Sequence, residues 1–313
     1  MPKGSFTQCV CILLNRTPSL DEISQCLGDV AEIASQQAAT EDWEFFGPSL
    51  TIAFQPKVNG FVAVDVVDRP WPDEMGDPDQ DAALFGAWAL GYFGPSAFPN
   101  GLARATSQSW CWEGDLDIVH NHTAFIRIRT SYVFGESDED APVLPEDYDP
   151  MAELDFVNRL TSALLELDGA ICCFNPNGEL LLDSAGFAET LGFHAEQETI
   201  PIECWTNVRL FSVETDWALM DTVGNLQLDV PDIEAAFHLD IADPDDINEF
   251  VRQVTWYLLD GENEVSDGDQ LDGPGEHTWI ASWLDTGSCD PPRQVLRLIP
   301  DDGRDVPDEL KVG

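Results

Sequence analysis

Between residues 9 and 299, short apolar runs of strand length alternate with amphipathic segments of helical period. Residues 9–14 (Cys-Val-Cys-Ile-Leu-Leu) form a compact apolar strand pattern. Ser19 and Glu22 then make a Ser-x-x-Glu capping box, which predicts a helix reaching about residue 30. Residues 50–54 and 61–67 are rich in β-branched side chains and flank a break at 56–60, so both predict strands. Residues 82–93 predict an apolar helix weakened by Gly86 and Gly91. Residues 123–132 alternate, which puts Phe125, Arg127 and Arg129 on one face and Ala124, Ile126 and Ile128 on the other. The order β-α-β-β-α-β over residues 1–135 predicts a ferredoxin-like half of an α+β protein.

An acidic, proline-bearing connector follows at 136–150, and a second α+β half is expected over 151–300. Asp149-Pro150 supplies an N-cap and a proline at the first helical position; Met151, Leu154, Val157, Leu160, Leu164 and Leu167 recur at helical spacing, and Asp168-Gly169 ends the helix. Asp243-Pro244 opens a second helix in the same way, with Ile247, Phe250, Val251, Val254 and Leu258 as its buried stripe. Strands are predicted at 170–174, 179–182, 208–213, from Trp217 onward, and at 279–283 and 295–299, with an acidic loop at 260–276 and a polar tail at 301–313.

Composition says that such a chain folds. It is 43% hydrophobic with ten Trp and seventeen Phe, far too apolar for a disordered acidic segment. Charge narrows its partners. Fifty-nine carboxylates face fourteen Lys and Arg, a net of −45, and only Lys3, Lys57 and Lys311 are lysines. Residues 1–130 carry −10 and residues 131–313 carry −35. A surface of this sign repels nucleic acid and anionic lipid and attracts a basic protein, over roughly 8 Å at physiological salt. A salt-adapted proteome and a nucleic-acid mimic would produce the same acidity, and both stay open. The first residues run into an apolar stretch too short for a secretory signal, and no run nears the ~18 apolar residues of a membrane span. A cytoplasmic protein with its eight cysteines reduced is therefore expected.

Signatures of catalysis are weak. No dinucleotide, Walker, nucleophile-elbow or zincin pattern occurs. His120 and His122 would share one face of a strand start, but a zinc site needs three or four ligands and no Cys-x-x-Cys supplies them. Asp267-Gly-Asp-Gln-Leu-Asp272 approaches a calcium loop but puts Leu271 where a fifth-position oxygen ligand belongs. Cys172 and Cys173 are neighbours on one strand, so one of them is expected to be the more exposed. Arg127 and Arg129, in mid-strand, should pair with carboxylates or lie on an exposed sheet face. No cofactor and no metal is expected.

Several stretches together resemble a known family. They are residues 60–72 (Gly-Phe-Val-Ala-Val-Asp-Val-Val-Asp-Arg-Pro-Trp-Pro), Gly-Leu-Ala-Arg-Ala at 101–105, His122 leading into Phe-Ile-Arg-Ile-Arg, residues 161–174, residues 230–234 and Asp-Gly-Asp at 267–269. Across residues 6 to about 300 the chain resembles a bacterial family of unknown function whose members occur near Rhs and type VI secretion toxin genes. The resemblance implies an immunity protein: an antitoxin that neutralises a basic toxin in the cytosol by occluding its active site, such as an ADP-ribosyltransferase or nuclease domain. The expected contacts are Glu136, Asp138, Glu139 and Asp140 in the connector, and Asp243, Asp245, Asp246, Asp267 and Asp269 in the later loops. Trp110, Trp112, Trp205 and Trp217 are candidate aromatic anchors. The rival expectations are a halophile's housekeeping protein and an enzyme with a pocket around His120 and His122.

Overall fold

The computed structural model describes residues 5–38, 45, 47–109, 112, 114, 116–133, 144–214, 216–261 and 264–311. The chain is α+β and divides into two compact units, Met1–Trp205 and Thr206–Gly313.

The first unit is built on a seven-stranded sheet. Its strands are β1 (Gln8–Leu14), β2 (Ile33–Gln37), β3 (Ser49–Gln55), β4 (Gly60–Val67), β5 (Ala124–Ser131), β6 (Ala170–Asn175) and β7 (Leu180–Leu182), in the order β2-β3-β4-β5-β1-β6-β7. Each neighbouring pair is antiparallel. The helices are α1 (Leu20–Leu27), α2 (Ala82–Ala89), α3 (Gly101–Ser107), α4 (Asp117–His120), α5 (Pro150–Leu164) and α6 (Ser184–Gln197). The predicted capping box at Ser19 and Glu22 is formed, and Asp149 caps α5 by accepting from the Met151 and Ala152 amides. One sheet face carries Cys9, Cys11, Leu13, Phe125, Cys172 and Phe174, packed against Trp71, Trp88, Phe93, Leu102 and Val119 of the long β4–β5 connection. The opposite face meets α5 and α1. With both faces covered, β1 and β5 are buried along their whole length.

Two expectations change here. In a ferredoxin-like sheet the first strand lies between the third and fourth of the β-α-β-β-α-β series. Here β5 lies between β4 and β1. The domain division also moves. β6 and β7 join the first sheet through β1–β6 pairing, so the break falls after Trp205 and not in the 136–150 connector.

The second unit holds β8 (Asn207–Glu214), β9 (Trp217–Val223), β10 (Asp232–His238), α7 (Pro244–Leu259), β11 (Gln270–Gly273), β12 (His277–Leu284) and β13 (Val295–Pro300). The sheet order is β11-β12-β13-β10-β9-β8, antiparallel except for the parallel β10–β13 pair. The predicted stripe of α7 packs Ile247, Phe250, Val251, Val254 and Leu258 on Ala235, Phe237, Trp279, Leu296 and Leu298. The other face carries a small apolar cluster of Trp217, Leu219, Ala236 and Leu310 beside a row of charged side chains.

Candidate functional site

Each unit buries a set of arginines among carboxylates, Arg127 and Arg129 in the first and Arg209, Arg293 and Arg297 in the second. Asp65 and Arg127 are cross-strand partners on β4 and β5, and Arg129 follows two residues later on the same face. Asp65 is within 2.6 Å of Arg127 and 2.9 Å of Arg129, and all three are buried. Burial alone would raise the Asp65 pKa, but the two guanidinium groups outweigh it and hold the carboxyl below its ordinary value. Asp65 is thus a fixed anion and no general base. Arg127 also donates to the Tyr92 carbonyl at 3.2 Å and to that of Phe45. Beside this cluster lies a groove of about 910 Å³, lined among others by Ser35, Ser49, Thr51, Phe61, Tyr92 and Arg129. A pocket around His120 and His122 was the expectation for an enzyme; neither residue lines this groove.

The second unit carries a larger network. Arg209 on β8 pairs with Asp221 on β9 at 2.5 Å, and Arg293 joins Asp221 at 2.6 Å and Asp232 at 3.0 Å. Arg297 on β13 holds Glu234 on β10. Three carboxylates and three guanidiniums are matched, each residue buried. Hydrogen bonds extend the network to the covering chain: Arg297 donates to the Leu310 carbonyl at 3.0 Å and to the Ser288 hydroxyl at 2.7 Å, and Ser288 N–H donates to Glu234 at 2.8 Å. The row clamps the 285–294 loop and the tail onto the sheet. It also brings ligand atoms of Asp221, Glu234 and Cys289 within 4.8 Å of one another. These residues do not fit a cation, because the carboxylates already face three guanidiniums. Burial first, and then Asp221 and Glu234, push the Cys289 thiol up to about 12, away from the thiolate a metal needs.

The other chemical candidates are structural. His120 ends α4 and is exposed, whereas His122 is buried, so the two do not share a strand face. His122 Nε2 accepts from Trp71 N–H at 2.6 Å, and Nδ1 donates to the Val119 carbonyl at 2.6 Å, which uses both nitrogens. Cys172 and Cys173 are both buried, contrary to expectation, because this sheet is covered on both faces. Asp267 accepts from Trp283 N–H and Asp269 from Ser266 N–H, each at 2.7 Å, so their carboxylates brace a turn.

Of the expected contact residues, Asp243, Asp245, Asp246, Asp267 and Asp269 are exposed on the second unit. Glu136, Asp138, Glu139, Asp140 and Trp110 lie outside the described residues. Trp205 and Trp217, candidate anchors although the core is the commoner place for a tryptophan, are core residues at 1% and 7% exposure, Trp205 donating to Asn158 and Trp217 packing edge-on to His238. Trp112 is partly buried against the core of the first unit. Sequence reasoning missed Trp283, which is 36% exposed beside Asp267, and a cleft of about 380 Å³ between α7 and the end of β11. No helix among the described residues is long and apolar enough to cross a membrane. Comparison with curated proteins and with solved structures returns no match. Residues 221–299 match the family described as a domain of unknown function, DUF4261, so the match runs from Asp221 in β9 to Ile299 in β13 and takes in every member of the second unit's charged network except Arg209.

Proposed function

We propose that the protein binds a basic protein partner and acts as an immunity-type inhibitor, covering the active site of a cytosolic toxin of the Rhs or type VI class. One observation carries this reading. Residues 206–313 contain twenty-five carboxylates and six cations, and three of those cations, Arg209, Arg293 and Arg297, are buried in matched ion pairs. Twenty-two carboxylates and three cations remain outside that network. Such a surface accelerates and selects a positively charged partner.

The test is affinity capture from the source cells at low and high salt, followed by co-expression with the captured protein. A basic protein held at low salt, whose growth arrest is relieved by this chain, is the expected result. Absence of any captured protein at either salt refutes the reading. A second reading has its own support, because carboxylate excess also marks the first unit, with thirty-four acidic against eight basic residues. A salt-adapted protein would gain stability steadily into molar salt, with no partner required.

A further inference from the structure

We propose that a basic, extended segment of the partner adds as a strand to the open edge of β11 and reaches the carboxylates of α7 with alternate side chains. This placement rests on the basic-partner reading above.

β11 is the outermost strand of the second sheet, and Gln270 and Asp272 are exposed. The orientation of its backbone follows from β12. Thr278 accepts from Asp301 N–H at 2.8 Å on the β13 side. Successive residues of an antiparallel strand direct their amides to opposite edges. Ala281 accordingly faces β11, accepting from Gly268 N–H at 2.8 Å and donating to the Asp269 carbonyl at 2.9 Å. Leu271 pairs with Trp279, which shares that orientation. The N–H and C=O groups of Gln270 and Asp272 therefore point outward, a ready template for another strand.

The edge is bordered by the cleft between β11 and α7. Asp246 and Glu249 line it from the helix, Phe250 forms part of its wall, and Asp272, Gly273 and Pro274 close the strand side. Side chains of an added strand alternate between two faces. Those turned to α7 meet Asp246 and Glu249, with Phe250 placed against the aliphatic stem of an arginine or lysine. Those on the other face pass beside the Asp272 carboxylate, because Leu271 occupies the α7 face. The same charges disfavour a second copy of this chain and any acidic strand, so the edge discriminates by sign.

The probe is a fluorescent alternating Arg-Val octapeptide, followed by anisotropy with the full chain at low salt. An N-methylated version that cannot extend a sheet serves as peptide control, and E189Q/E196Q on exposed α6 as protein control. The D246N/E249Q variant and the N-methylated peptide should each weaken binding about tenfold, and E189Q/E196Q less than twofold. Deuterium exchange at 270–273 should slow when the peptide is bound. Binding that survives both D246N/E249Q and N-methylation overturns the placement and leaves the basic-partner reading standing. Failure of the unmodified peptide to bind the wild-type chain likewise overturns the placement, whereas the basic-partner reading falls only if capture at both salts returns no protein.

Discussion

Replacing Arg297 with methionine tests how far the second unit depends on its internal charges. The guanidinium donates through Nε to Glu234 at 3.0 Å, binds the same carboxylate through Nη2, and also satisfies Ser288 and the Leu310 carbonyl. Methionine retains most of the volume, so little cavity forms. What remains is a Glu234 carboxylate at 0% exposure with the Ser288 N–H as its surviving hydrogen bond. Removing one partner of a buried pair costs about 3–5 kcal/mol, because an uncompensated charge stays behind. For a unit of this size that is a fall in Tm on the order of 20 °C. A chain of two units does not unfold as a single two-state system, so the assay must be local. Deuterium exchange should accelerate in β10, β13 and residues 308–310 and remain unchanged in β1 and β5. The double variant R297M/E234M removes both charges and should recover most of the loss, since apolar replacement of a whole buried pair is often neutral. A single variant within ~1 kcal/mol of wild type, or a double variant no better than the single one, refutes the account.

Four further outcomes follow from the first unit. His122 is held below its ordinary 6.5 by burial, so the unfolded chain binds the extra proton and stability falls as pH drops through the region just under 6.5. Nuclear magnetic resonance titration should find the midpoint of this ring below 6.5, and an H122N variant should flatten that part of the stability profile. The Asp65 carboxyl lies below 3.8, so its contribution is present above that value and is lost only in stronger acid; D65N should be strongly destabilised at neutral pH and show no such acid limb. Burial raises the thiols of Cys11, Cys172, Cys173 and Cys204, so iodoacetamide at neutral pH should modify partly buried Cys26 before any of these four in the native chain, as peptide mapping would show. Trp205→Phe removes a 3.1 Å bond to Asn158 and should cost about 1–3 kcal/mol of first-unit stability without altering partner affinity.

The sequence made the strongest helices legible because their boundary chemistry is local. Ser19 with Glu22, Asp149-Pro150 and Asp243-Pro244 each sit where a helix begins. Elements with little apolar signal were not legible. β2 is an edge strand whose last four residues are exposed, and α6 buries only Phe187 and His194. Sheet order was hidden for a different reason. An apolar run such as 170–174 predicts a strand and says nothing of its neighbour, and here the neighbour is β1, about 160 positions earlier. The Asp65–Arg127–Arg129 cluster was half legible, since arginines in an alternating strand demand partners. The same signal was present at Arg209 and Arg297, each flanked by apolar residues in a strand pattern, and following it would have pointed to the second network. His120 and His122 misled because strand spacing was assumed where a helix ends.

The buried arginines bear directly on why the chain is acidic. A protein adapted to salt needs carboxylates outside, but nothing in that requirement draws cations inward. Placing Arg127, Arg129, Arg209, Arg293 and Arg297 beneath the surface has a cost in desolvation, offset only by close pairing with Asp65, Asp221, Asp232 and Glu234. The arrangement keeps these five arginines from pairing with carboxylates at the surface, where Arg16, Arg159 and Arg304 still do so. Exposed acids such as Asp246, Glu249 and Asp272 then keep their full attraction for an incoming cation. Acidity without this internal sequestration would speak for salt alone. With it, and with an open strand edge beside those three carboxylates, the arrangement supports the proposed basic partner over salt adaptation.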